Sequence, residues 1–147
     1  MTKVSQWMTR NPVTIEKKAS IIEAMHLMKG KAVRHLPVTW KGRFCGLITD
    51  RMIKEFTPGK TTTMDAWEMH YLLSKCTVQD AMNPKPLTIA PDAPLCEAAR
   101  IAQANRLGSL CVIDEQGGLV GILTTINFME ALIEICSTAD NPAFKAD

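Results

Sequence analysis

Two short segments of this chain place a hydroxyl where a strand gives way to a helix. Gly46-Leu-Ile-Thr49 and Gly121-Ile-Leu-Thr124 share the order glycine, two apolar residues, threonine. A threonine at a helix N-cap sets its hydroxyl beside backbone N–H groups that lack helical partners, and the helix dipole there favours an anion. Such a residue either helps to hold a phosphate or simply caps its helix. Three residues on, the segments diverge: Met52 follows the first and Asn127 the second. An amide at that place either reaches back toward a sugar hydroxyl or stands solvated in the first turn; a thioether has no comparable acceptor.

Bond-making chemistry finds less support. His26, His35 and His70 lack metal-ligand spacing, and the five cysteines (Cys45, Cys76, Cys96, Cys111, Cys136) contain no C-x-x-C pair. Most of those cysteines fall at apolar-patterned positions, which predicts buried, reduced thiols in a cytoplasmic protein. No carboxylate or nucleophile adjoins His35 in sequence to orient it as a base, so it reads as a packing or strand-surface residue. Gly59-Lys60-Thr61 ends like a phosphate-binding loop but lacks the earlier glycine and the preceding apolar strand, and reads as a linker turn. With no acid–base or nucleophile pair in view, an enzyme ranks below a binding module.

The threonine segments belong to a longer echo. With Val4 set over Val78, an offset of 74 residues matches Met8/Met82, Pro12/Pro86, Thr14/Thr88, Ile15/Ile89, Glu23/Glu97, Ala24/Ala98, Leu36/Leu110 and Val38/Val112. One extra residue in the Glu115–Gly118 turn moves the offset to 75, and Gly46/Gly121, Thr49/Thr124 and Glu55/Glu130 follow. A duplicated unit packs on its copy about a pseudo-twofold axis, so ligand sites come in pairs.

Each copy reads β-α-β-β-α after a short amphipathic turn. The first strands are Pro12–Ile15 and Pro86–Ile89, where proline fixes φ and β-branched residues follow. Helices are expected over Ser20–Lys29, with Ser20 as N-cap and Gly30 as stop, and over Pro94–Arg106. Hairpins follow, His35–Trp40 with Arg43–Ile48 and Ser109–Asp114 with Leu119–Leu123, and closing helices over Asp50–Phe56 and Thr124–Cys136. The expected organisation is thus α+β. Two pseudo-twofold-related units, residues 1–56 and 77–136, pack through their sheets. A connector over 57–76 becomes helical from Asp65, and a flexible tail spans 137–147. At 147 residues, 46% hydrophobic and 22% charged, the chain has the composition of a compact module. A net charge of +2, scattered along the chain, argues against nucleic acid. No apolar run nears the roughly 20 residues that cross a bilayer.

With these residues in view the chain resembles a tandem pair of cystathionine-β-synthase-type (CBS) domains, a Bateman module. The resemblance covers about Val4–Phe56 and Val78–Ile135. It rests on the leading Met-x-x-Pro-x-Thr segments, His35-Leu-Pro-Val38 and the Gly-x-x-Thr-x-x-Asn ending at Asn127. The connector helix is similar to that of bacterial acetoin-utilisation-type CBS proteins. The resemblance implies adenosine nucleotides in two clefts. One would use Thr124, Thr125 and Asn127 with Val13, Thr14, Arg34, His35 and Pro37. The other, weaker one would use Thr49, Asp50 and Arg51 with Leu87, Thr88, Gly108, Ser109 and Cys111. Where the family usually carries aspartate for the ribose diol, this chain has Asn127 and Met52. Arg34, a planar cation suited to phosphate or else a surface charge, stands where the other copy has Gly108.

The resulting expectation is a non-enzymatic regulatory module. It binds AMP, ADP or ATP, with S-adenosylmethionine or a dinucleotide as further options, dimerises through its closing helices and acts on a regulated protein. The alternative is a dimerisation or assembly module whose clefts have degenerated.

Overall fold

The computed structural model describes residues 2–57 and 64–138. Elements in chain order are α1 Val4–Trp7, β1 Thr9–Arg10, β2 Ile15–Glu16, α2 Ile21–Lys31, β3 His35–Trp40, β4 Arg43–Thr49 and α3 Asp50–Phe56. There follow α4 Ala66–Lys75, α5 Val78–Ala81, β5 Thr88–Ile89, α6 Leu95–Ala104, β6 Ser109–Ile113, β7 Leu119–Thr124 and α7 Thr125–Ser137. The chain is a mixed α+β protein with two small sheets. Its described residues divide into two compact units, one within Pro12–Pro86 and the other joining residues 2–11 to residues 87–138.

In the Pro12–Pro86 unit the sheet order is β2-β3-β4, with β2 parallel to β3 across the α2 crossover and β3 antiparallel to β4. Ile21, Ala24 and Met28 from α2, Leu36, Val38 and Ile48 from the hairpin, Ile53 from α3, Leu73 from α4 and Val78 from α5 form its core. Each fully buried aliphatic side chain contributes about 1.5–3 kcal/mol. The hairpin turns at Lys41 (φ 51°) and Gly42 (φ 78°), the two left-handed positions that a two-residue turn matched to strand twist requires.

The other unit orders its sheet β1-β7-β6-β5. Its core gathers Val4, Ile89, Leu95, Ala98, Ala102, Leu110, Val112, Leu123 and Ala131. Its hairpin loop is held by Asp114, whose Oδ1 accepts from Gln116 N at 2.9 Å and Gly118 N at 2.7 Å. That loop holds the residue that shifts the repeat offset. Both hairpins change register at the same repeat position, after Val38 and after Val112.

The packing units differ from the sequence repeats at their leading segments. Residues 2–11 pack with the second repeat, where Thr9 and Arg10 pair antiparallel with Ile122 and Gly121. Their counterparts in the second repeat pack with the first: Asn83 and Leu47 exchange both backbone hydrogen bonds, at 2.9 and 3.0 Å.

Several expected boundaries move. The first strands shorten to Ile15–Glu16 and Thr88–Ile89. Gly30 lies inside α2, which runs on to Lys31. The left-handed residue that ends it is Ala32 (φ 54°), whose N–H reaches Met28 O and Lys29 O. Arg106, also at φ 54°, follows α6 at the equivalent place. The next residues, Val33 and Leu107, pack on the two cores, and both helices stop where that packing requires. Pro94 is the N-cap of α6 rather than its first residue. Only Cys111 among the cysteines is buried; Cys96 is exposed and the other three are half-buried. Ser137 closes α7, while Gly59-Lys60-Thr61 and residues 139–147 lie outside the described residues.

Candidate functional site

Thr49 ends β4 and caps α3, its Oγ1 accepting from Met52 N at 3.1 Å. Asp50 N donates to Arg34 O at 3.0 Å, and His35 stands opposite Thr49 in the ladder. Thr49, Asp50, Arg34 and His35 therefore gather at one end of this sheet, although the sequence reading divided them between two sets. The Asp50 carboxylate lies 3.7 Å from Lys54 Nζ, and Arg51 lies 3.2 Å from Glu55. Both are i,i+4 pairs on the helix surface, of little energetic weight. Val13 and Thr14 lead into β2, both half-buried, with Val13 packed on the core of its unit. Pro37 is fully buried.

The same frame recurs in the other unit. Thr125 N donates to Gly108 O at 3.3 Å and Ser109 stands opposite Thr124. Leu87 and Thr88 are exposed, Thr88 opposite Cys111 across the parallel ladder, while Cys111 and Ser109 are buried. At the helix start the two frames part company. Asn127 is only 6% exposed. Its Oδ1 accepts from Thr124 N at 2.8 Å and from Thr124 Oγ1 at 3.3 Å, and its Nδ2 donates to Thr9 Oγ1 at 3.3 Å. It is neither solvated nor unengaged: it closes a capping box and ties β1 to α7. Thr9 escaped the sequence reading, since only its neighbour Met8 carries a repeat match.

Burial holds the His35 imidazole below its ordinary 6.5, with Asp50 pulling the value back up and Arg34 pushing it further down. Its contribution to stability is complete above about pH 6.5 and is lost as pH falls through the folded value, because the unfolded chain takes up the proton first. Thermal midpoints are expected to fall between pH 7 and pH 5, and less steeply in His35→Gln. Equal slopes for the two proteins would show that His35 is not held neutral. Burial also pushes the Cys111 thiol up to about 12, which leaves it a packing group rather than a nucleophile.

Among the described residues no group of three or more His, Cys, Asp or Glu is placed to hold a metal ion. No described helix is long and apolar enough to cross a membrane.

The twice-built frame of hairpin, threonine cap and closing helix is that of the CBS domain, whose family model matches residues 4–59 and 78–134. The chain belongs to the CBS-domain family. It is 27% identical over 133 residues to a CBS domain-containing protein of Dictyostelium discoideum, covering 90% of this chain and 92% of that one. Among solved structures it is similar to CBSX2 in complex with AMP, at 29% identity and a TM-score of 0.76, covering 92% of this chain and 98% of the other. It is likewise similar to a protein of Vibrio cholerae assigned to acetoin utilization (AcuB). That match has 28% identity and a TM-score of 0.76, over 92% of this chain and 93% of that one.

Proposed function

We propose that this chain is a non-enzymatic, cytoplasmic regulatory module that binds an adenine nucleotide and dimerises. The observation that carries this reading is the repeated end of each sheet, where a capped helix start meets the residues before the hairpin. Arg34 with Asp50 and Gly108 with Thr125 occupy equivalent places there. The similarity to CBSX2, solved with AMP, supports an adenosine ligand. The residues proposed to hold it are Thr124, Thr125 and Asn127 with Val13, Thr14, Arg34, His35 and Pro37. A second, weaker set is Thr49, Asp50 and Arg51 with Leu87, Thr88, Gly108, Ser109 and Cys111. Regulation would follow by linkage: a ligand that prefers one arrangement of the module shifts its population, and a partner protein reads the result.

Arg34 is the most discriminating residue. A charge-assisted hydrogen bond contributes about 1.5–3 kcal/mol, so Arg34→Ala is expected to weaken AMP or ATP by roughly tenfold to a hundredfold. Adenosine, without a phosphate, should bind as before. Met52→Asp should strengthen binding by supplying an acceptor pair for the ribose diol. Because Arg34 adjoins the Thr49 helix start, the double variant tells which helix start shares its ligand. Coupled effects place Arg34 and residue 52 on one nucleotide, and additive effects place them on two. Calorimetry reads all three. Loss of adenosine and nucleotide binding alike in Arg34→Ala would remove the phosphate role.

The alternative, an assembly module without a ligand, draws on two facts: Met52 carries no acceptor for ribose, and Asn127 is engaged in its own capping box. A thermal-shift series separates the readings. Nucleotide at about 100 times its Kd stabilises by roughly 2.7 kcal/mol. No shift with any adenosine compound, in a protein that still dimerises, establishes the assembly role.

A further inference from the structure

The hairpin end of the Pro12–Pro86 sheet carries positive charge that the fold does not require. Trp40 stands there opposite Arg43, while His35 and Thr49 form the other end of the same ladder, about 17 Å away along the strand. Lys17 Nζ lies 4.8 Å and Lys41 Nζ 5.6 Å from the centre of the Trp40 ring. The Lys17 backbone is fixed on both sides: its N–H donates to Thr39 O and its carbonyl accepts from Gln79 N, each at 3.0 Å. Lys18 Nζ donates to Gln79 Oε1 at 3.2 Å. Lys18, Lys41 and Arg43 are exposed, and Lys17 and Trp40 half-buried. None of these four cations forms an ion pair with a described residue, and Glu16 is the one carboxylate within residues 16–18 and 40–43. The second repeat builds the equivalent hairpin with Asp92 for Lys18, Asp114 for Trp40, Glu115 for Lys41 and Gly118 for Arg43. The cations are therefore particular to one repeat and serve something other than the hairpin.

We propose that this surface docks an acidic segment of the protein that the module regulates. Four cations without a carboxylate partner attract carboxylates and set the orientation of what carries them. The Trp40 ring holds two of the ammonium groups in place, so less side-chain freedom is lost when the anion arrives. The same contact decides against other polyanions. Single-stranded nucleic acid is gripped by rings free to stack on its bases, and a membrane surface by aromatic groups free to enter the lipid interface. Here two ammonium groups lie over the ring. The proposal rests on the regulatory reading above for its partner being a protein, and on no bound nucleotide, since the candidate nucleotide residues of this unit gather at the other end of the ladder.

A fluorescein-labelled octaglutamate peptide, titrated with the full chain and read by anisotropy, tests the surface. It should bind at low ionic strength and weaken at about 0.15 M salt. Lys17→Gln/Lys41→Gln keeps both stems over the ring and removes both charges, and should weaken binding by about tenfold. Lys18→Gln/Arg43→Gln should do the same. Lys29→Gln/Lys31→Gln removes as much charge at the end of α2, on the His35 side, and should bind as the wild type does. An equal loss in that variant would reduce the effect to net charge and overturn the proposal. Thermal midpoints close to wild type show that the variants act without unfolding the protein. Decathymidylate, or vesicles of phosphatidylserine and phosphatidylcholine, bound more tightly than the peptide and lost in the same variants would assign the surface to nucleic acid or membrane instead. Salt-sensitive self-association abolished by Lys17→Gln/Lys41→Gln would make the occupant a second copy and overturn the proposal too. Peptide binding in a protein that shows no thermal shift with adenosine compounds would sink only the nucleotide reading; a nucleotide shift without peptide binding would sink only this one.

Discussion

Replacing Gly46 with alanine is expected to destabilise the protein by about 2–3 kcal/mol, a fall of roughly 5–10 °C in thermal midpoint. A Cβ there would lie 2.7 Å from the backbone oxygen of Asn83 and 2.9 Å from the Met82 sulfur. The sulfur can swing away; the carbonyl cannot, because Asn83 is fixed to Leu47 by reciprocal hydrogen bonds. Neither Gly46 nor Gly121 has a positive φ, so the requirement is for space and not for backbone freedom. Gly121→Ala should cost a similar amount, since its Cβ would meet the Thr9 carbonyl oxygen at 2.9 Å besides the Met8 side chain. Combining Gly46→Ala with Met82→Ala should recover only part of the loss. A midpoint within 2 °C of wild type for Gly46→Ala would mean that the crossing segment is free to move off the sheet.

That close approach explains which parts of the molecule were legible in the sequence. Met8/Met82 and Gly46/Gly121 look like independent repeat matches, yet each methionine lies against the glycine of the other repeat. The duplication could be read from the matches; the exchange of leading segments could not, because identical partners serve either arrangement. The hairpins and the closing helix Asp50–Phe56 were legible because alternation, Lys41-Gly42 and a threonine cap are local signals. The end of α2 was not. Gly30 is the stronger local stop, but the packing of Val33 places the left-handed residue at Ala32. At the candidate site the threonine caps were visible. The adjacency of Arg34 to Asp50 arises from the strand register, and the Asn127–Thr9 bond joins residues 118 apart. Neither is encoded in spacing.

Asn127 is where the structural and ligand-binding readings of this chain can be separated. Asn127→Ala removes the acceptor for Thr124 N and the donor to Thr9 Oγ1 in a part-buried setting. Each group left unsatisfied costs about 1–3 kcal/mol, so a total loss of about 2–4 kcal/mol, or roughly 5–15 °C in midpoint, is expected. Asn127→Asp should behave differently. A carboxylate still accepts from Thr124 N, and the Thr9 hydroxyl can rotate to donate in place of accepting. The negative charge also lies in the first turn of α7, where the helix dipole favours it by about 0.3–1 kcal/mol, against the cost of partial burial. Stability within about 1 kcal/mol of wild type is the expected outcome. The change also adds an acceptor that the amide lacks, so nucleotide affinity should rise by up to about tenfold if the ribose lies at this helix start. Calorimetric titration with AMP, alongside thermal unfolding of both variants, reads the two roles independently. An alanine variant as stable as wild type would remove the capping role. An aspartate variant that is stable but binds AMP no more tightly would place the ribose elsewhere. Because Asn127 would then be fully accounted for as a cap, that result would shift the balance toward the assembly reading.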